Sequence, residues 1–327
     1  MVTHIFSFMH VRQLRGYIGT MNTLDPGRRQ HYGDFYGADY RRRDESLPFV
    51  TVMGNCQAES LRILLDSSGA VESFRIPPVH EFTAEDIDLL TPVLAHTDVL
   101  VTQPIRDSYR DLPLGTAELA ALLPDGARTI IYPVLRYDGL FPYQAIIRDP
   151  ADPSRNPPVV PYHDLRILAA AARGLTRPVE ADPSDEALRT TAAMSVEQLR
   201  TRERHHGTVV ISDVLDTAPA WHTMNHPSNA TLAALAQRVL DDIVPGGTVH
   251  APTDREMLGG LTAPVDPQAA RALGVDVTGR DTWLKNHEPV DHSEIIDAQL
   301  AFYREHPQII DAGLTRHAER LSVLGLA

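Results

Sequence analysis

Between residues 48 and about 135 short apolar runs alternate with amphipathic segments, and this alternation constrains the fold more than any other feature of the 327-residue chain. The runs predict strands at 49–53, 73–77, 98–102 and 128–134, and the segments between them predict helices at 56–67, 83–90 and 115–122. Strands that are apolar along their whole length, rather than at every second residue, are buried on both faces. Three successive βα repeats of that kind imply an α/β fold with a parallel sheet of about five strands covered by helices on both faces. Ligands of such sheets bind beyond the carboxyl ends of the strands, so that rim is where functional residues are sought.

The flanking segments read differently. Residues 1–47 carry turn formers and clustered charge without sustained periodicity, and are expected to form an arm with little core of its own. Residues 48–247 would be the α/β domain and 248–327 a mostly helical extension, with helices near 291–304 and 307–323. The stretch 136–162 is rich in proline and aromatics and is long for a connection, which suits an ordered loop serving a site. Helical patterning returns at 163–173 and 184–206. A third helix, expected from Asn229 onward, carries Leu232, Leu235, Ala236, Val239, Leu240 and Ile243 on one face, with Ser228 as its natural N-cap.

Composition excludes several classes of function. A single cysteine, Cys56, rules out an intramolecular disulfide framework and a multi-cysteine metal site, and suits a reducing, cytoplasmic setting. No apolar run reaches the length of a membrane span, and the N-terminal residues lack a signal-peptide core. A formal net charge of -13 argues against a nucleic-acid partner, although small anions could still meet local arginines. The fifteen histidines raise the question of a metal, yet His205 and His206 are adjacent and point about 100° apart on a helix, so no metal site is expected.

Cys56 follows the turn Gly54-Asn55 at the end of the first predicted strand and so stands at a helix N-terminus. Unpaired N–H groups and the helix dipole there favour an anion, so the thiol is expected to ionise readily. The alternative is a buried cysteine acting as a small apolar side chain. His226 lies two residues before Ser228, after the short run "AWHTM", and is expected at the same rim from another strand; otherwise it is a loop residue before a helix. If the two meet, histidine can take the thiol proton. If such a pair attacks a carbonyl, the Cys56 or Gln57 backbone N–H and the side chains of Asn55 and Gln103 could act as donors to the resulting oxyanion. Asn55 could equally serve the turn and Gln103 a cap.

The segments "VMGNCQAESLRILL", "DVLVTQPIRDSY", "TIIYPVLRYDGLFPY", "VVPYHDLRIL", "LRTRE" and "HTMNHPSNATLAALAQRVL" resemble the WcbI family, acetyltransferases of bacterial polysaccharide biosynthesis. The blocks span about 50–244, and the order of GNCQ and NHPS carries most of the likeness. The resemblance implies coenzyme A binding and acyl transfer from acetyl-CoA, with Cys56 and His226 as the catalytic pair. The order also resembles the SGNH hydrolases, an SGNH/flavodoxin-like arrangement, except that Thr223 stands where those enzymes place an aspartate three residues before the histidine. A cysteine tolerates that loss better than a serine would, and Thr223 or a backbone carbonyl could orient the imidazole.

Coenzyme A carries a 3′-phosphate and a pyrophosphate, for which Arg106, Arg110, Arg136 and Arg166 are candidate ligands at strand ends or in the long loop. His163 joins the substrate-binding candidates. The resulting expectation is an acyl-CoA-dependent O-acyltransferase with a sugar, polyol or glycan hydroxyl as acceptor. The alternatives are a thioesterase or esterase using the same pair, or a coenzyme A or acyl-carrier binding protein without turnover.

Overall fold

The computed structural model describes residues 26–37, 42–215, 221–276 and 280–327. The rest of the predicted arm, residues 1–25 and 38–41, lies outside the described residues. Two short helices, α1 (Pro26–His31) and α2 (Gly33–Gly37), precede the sheet. Then follow β1 (Phe49–Met53), α3 (Gln57–Asp66), β2 (Glu72–Phe74), α4 (Ala84–Leu94), β3 (Val99–Thr102), α5 (Thr116–Ala120) and β4 (Arg128–Ile131).

The four strands pair in parallel in the order β2-β1-β3-β4, which is the α/β fold expected from the alternation. Alternation along β1 divides the core. Val50 and Val52 face a cluster with Leu61, Leu64 and Leu65 of α3, while Phe49 and Met53 face a second cluster with Leu90, Leu94, Leu100 and Leu119. Tyr32, Phe35 and Tyr36 join that second cluster, and Arg28 pairs with Asp86 at 2.7 Å, so residues 26–37 pack across the body of the protein.

After β4 the chain forms the antiparallel pair β5 (Gln144–Ala145) and β6 (His163–Asp164), then α6 (Leu165–Ala172), α7 (Asp185–His206) and α8 (Ser212–Leu215). Next come β7 (Trp221–Thr223), β8 (His226–Pro227) and α9 (Asn229–Ile243). The amphipathic face of α9 packs on α3, burying Leu232, Leu235, Ala236, Val239 and Leu240 in the first cluster. The sheet has four strands rather than about five because the run expected to supply the fifth does not join it. Trp221–Thr223 pairs antiparallel with His226–Pro227, so this short run closes on itself as a hairpin. The outer backbone groups of the hairpin are taken up by the last part of the chain instead of a fifth parallel strand: the His222 carbonyl accepts the Ala263 N–H at 2.7 Å, and the Trp221 carbonyl accepts from Arg280 at 2.6 Å.

The last part of the chain holds β9 (Leu261–Thr262), α10 (Pro267–Leu273), β10 (Trp283–Lys285), β11 (Glu288–Val290), α11 (His292–Glu305), α12 (Gln308–Arg316) and α13 (Ala318–Val323). β9, β10 and β11 form a small antiparallel sheet. α11 and α12 pack on α6 around a third cluster that includes Leu168, Phe302, Tyr303, Ile309, Leu321 and Leu326. A side chain at Gly313 of α12 would come within 2.6 Å of Ile147 and 2.8 Å of Leu168, so glycine permits that close approach. Among the described residues no helix is long and apolar enough to cross a membrane.

Candidate active site

Cys56 occupies the N-cap of α3, at the carboxyl end of the central strand β1. The turn before it is tightly braced. A Cβ on Gly54 would collide with the Tyr132 hydroxyl and lie 2.9 Å from the Gln103 carboxamide, so only glycine fits there. The Tyr132 hydroxyl donates to the Met53 carbonyl at 3.3 Å, and the Asn55 N–H donates to Gln103 Oε1 at 2.9 Å. Asn55 Oδ1 accepts the Gln57 N–H at 2.9 Å, which makes the turn.

Gln57 links this turn to the rest of the rim. Its side chain is 1% exposed and donates to the Leu135 carbonyl at 2.9 Å and the Asn225 carbonyl at 2.8 Å. Its Oε1 accepts from the Leu135 N–H at 3.0 Å and from Gln103 Nε2 at 3.3 Å. The residue after Cys56 is thus bonded to the residue before His226. The Met224 carbonyl also accepts the Tyr137 N–H at 2.8 Å, so the β7–β8 hairpin is held against the segment leaving β4. The hairpin reaches the carboxyl rim without being part of the parallel sheet, which corrects the expected route of His226 to that rim.

Tyr162 packs beside His226. Its ring meets His226 edge-on at 6.5 Å and stacks on Trp283 at 5.6 Å. Its hydroxyl contacts Thr223 Oγ1 at 2.8 Å and donates to Asn225 Oδ1 at 2.6 Å. Burial raises the Tyr162 pKa, with Cys56 adding to the effect and the Thr223 bond and Arg136 opposing it. Cys56 and Arg136 therefore both lie within electrostatic range of this hydroxyl. Thr223 is committed to Tyr162 and to Asn225, at 3.3 Å, and His226 Nδ1 is buried with no partner. The expected orientation of the imidazole by Thr223 is absent.

The electrostatics reverse one expectation. Burial pushes the Cys56 thiol up to about 11, against the N–H groups of Cys56 and Gln57, which favour the thiolate. Burial, and next the neighbouring His222, push His226 down to about 4. Removing a charge from water outweighs the pull of one helix N-terminus, so the resting site holds a neutral thiol and a neutral imidazole at pH 7. Among the described residues no hydrogen bond joins the two.

The structure separates the remaining candidates. Gln103 Nε2 bonds to Asn55 Oδ1 and Gln57 Oε1, both at 3.3 Å, so the Gln103 and Gln57 carboxamides brace the turn and their donors are already engaged. The Asn55 side-chain nitrogen has no described partner and sits on a partly exposed residue. His163 and Arg166 line a cavity of about 510 Å³ beside Tyr162 and Trp283. There His163 bonds Tyr303 at 2.7 Å, and burial lowers it to about 4. Arg166 pairs with Asp164 at 2.7 Å and lies over the Tyr143 ring. Arg136 lines a second cavity, of about 320 Å³. Arg106 and Arg110 are exposed and line neither, and Arg110 donates to the His80 carbonyl. Among the described residues no cluster of three histidine, cysteine or acidic side chains could hold a metal.

Ser228 starts α9 as expected, but its hydroxyl is buried without a partner. The cap is Glu256, which accepts from the Asn229 N–H at 3.0 Å and pairs with His222 at 3.2 Å. Nothing in the local sequence marks this residue, 28 positions beyond the cap. Tyr162 lies in the segment "VVPYHDLRIL", but nothing local there marks its hydroxyl as a link to the His226 hairpin.

The sequence pattern of a family described as polysaccharide biosynthesis enzyme WcbI matches residues 49–245. No curated protein matches the chain. A solved structure of WcbI, described as a novel polysaccharide biosynthesis enzyme and as the native protein without a disulfide bond between coenzyme A and one of its cysteines, superposes with a TM-score of 0.70. The superposition covers 86% of this chain and 98% of that one at 17% identity.

Proposed function

Because the chain belongs to the WcbI family of polysaccharide biosynthesis enzymes, we propose that it is an acyl-CoA-dependent O-acyltransferase in which Cys56 is the nucleophile and His226 the base. The observation that carries this reading is the Gln57 carboxamide, which ties the segment after Cys56 to the backbone of Asn225 and so holds both candidate groups at one rim. The coenzyme A mentioned with the solved WcbI structure supports the choice of donor.

In the first half-reaction Sγ of Cys56 attacks the thioester carbonyl carbon while His226 takes the thiol proton. The acyl–cysteine thioester forms, the bond to coenzyme A breaks, and the proton passes to the departing thiolate. In the second, His226 takes the proton of an acceptor hydroxyl, the oxygen attacks the acyl group, and the Cys56 thiolate leaves and recovers its proton. Because the resting pair is neutral, proton transfer accompanies attack rather than preceding it. The Cys56 N–H faces the developing charge, and Asn55 is the side chain with a donor left for the oxyanion.

The test supplies labelled acetyl-CoA with and without a polyol or sugar-nucleotide acceptor and follows both acetylated product and free acetate. Acceptor-dependent product is expected, and Cys56→Ala should abolish turnover while coenzyme A affinity stays within about twofold. Free acetate released at one rate whatever acceptor is offered would replace transfer with thioester hydrolysis.

A further inference from the structure

The smaller cavity gathers four arginines from four elements: Arg136 after β4, Arg202 on α7, Arg316 at the end of α12 and Arg320 on α13. Asp138 and Glu319 are the carboxylates on its wall, so two positive charges are left over in a chain whose formal net charge is -13. Arg320 has a structural explanation, because it donates to Asp138 and to the Gln144 carbonyl, each at 2.5 Å. Arg136 and Arg202 do not. Neither takes part in a hydrogen bond or ion pair among the described residues, and Nε of Arg136 and both Nε and Nη2 of Arg202 are buried with no partner.

Burying a guanidinium without a counter-charge is costly, and two of them beside each other cost more. Burial weakens the hold of both on their protons, helped by Arg202 and Arg316 at Arg136 and by Arg316 at Arg202, and the nearby Asp138 offsets this only in part. A planar fork of donors with no protein acceptor matches the oxygens of a phosphate better than any other common anion. Met224, two residues before His226, lines the same cavity, and Arg136 acts on the Tyr162 hydroxyl together with Cys56.

We propose that this cavity is a binding site for a phosphate or diphosphate group of a substrate, held by Arg136 and Arg202. The assignment of that substrate rests on the acyltransferase reading: the group is either the diphosphate of the acyl-CoA donor or the phosphate of an activated sugar acceptor. The anion supplies the missing counter-charge and settles the substrate beside the Cys56–His226 rim.

Calorimetric titration of the full chain at low ionic strength tests this with inorganic pyrophosphate, coenzyme A and glucose 1-phosphate as probes. Pyrophosphate should bind, and Arg202→Gln and Arg136→Gln should each weaken it about tenfold, with Arg202→Lys in between. Arg204→Gln, which removes an exposed charge from the same helix, should change it less than twofold. The melting temperature of the ligand-free glutamine variants should stay level or rise, because a buried repulsion is relieved. A fall in both would make the two arginines structural and overturn the proposal.

A tenfold loss shared by coenzyme A names the donor as the source of the phosphate, and one shared by glucose 1-phosphate names the acceptor. Coenzyme A binding that is undiminished in both variants, with no pyrophosphate or sugar phosphate binding to any form, removes the site and leaves the acyltransferase reading standing. Pyrophosphate and glucose 1-phosphate binding through the arginines, with coenzyme A bound by no form, keeps the site and removes the donor. No binding of any probe to the wild type overturns the proposal outright.

Discussion

At Cys56 two forces act on one thiol. The start of α3 favours the thiolate through the N–H groups of Cys56 and Gln57, and burial disfavours it more strongly. Ligand-free protein should therefore react with iodoacetamide more slowly than a small free thiol at pH 7, with the rate still climbing above pH 10. A rate that levels off by pH 8 would contradict the neutral resting pair. Gly54 offers a second check at the same scale. An alanine there must displace the Tyr132 hydroxyl or the Gln103 carboxamide, both fixed by hydrogen bonds. Overpacking of this kind costs about 1–3 kcal/mol, so Gly54→Ala should lower the urea midpoint accordingly.

Among the elements, α9 shows how tertiary contacts replace a local cap. Ser228 has the residue type and position of an N-cap, yet its hydroxyl has no partner and the Glu256 carboxylate accepts from Asn229 N–H instead. A negative group at a helix start also meets the positive end of the dipole. Glu256→Ala should cost about 1 kcal/mol in urea unfolding, whereas Ser228→Ala should cost less than about 0.5 kcal/mol. The reverse order would return the cap to Ser228.

Over the whole molecule, α13 is pinned to the segment after β4 by the buried pair Arg320–Asp138, whose side chains are 6% and 14% exposed. Removing one member strands the other, so Arg320→Met should destabilise by about 3–5 kcal/mol in denaturant. One buried histidine, His163, and two half-buried ones, His226 and His317, make stability depend on acid. His163 and His226 are held down to about 4 and His317 to about 3, each chiefly by burial, from an ordinary value of 6.5. Below 6.5 the unfolded chain takes up protons that the folded protein refuses. Stability contributed by the neutral imidazoles is therefore complete above pH 6.5 and is lost as pH falls toward 4. The melting temperature should drop across that window, and His163→Gln should flatten the drop; an equal drop in the variant would assign the acid sensitivity to other groups.

The amino-acid sequence by itself determined the parallel sheet, because strands apolar on both faces have no other way to be covered, and it determined the place of Cys56, because Gly54-Asn55 forces the turn that starts α3. The family was legible as well, as a resemblance read from the GNCQ and NHPS segments, and its pattern matches residues 49–245. Only the tertiary structure decided how His226 arrives, since a three-residue strand carries too little pattern to distinguish a sheet member from a hairpin. It also decided the charge of the pair, because burial depends on what packs over a group and not on its neighbours in the chain. The same holds for the arginines: Arg136 and Arg202 are 66 positions apart, farther than any local pattern extends, and only folding shows that they face one cavity without a partner.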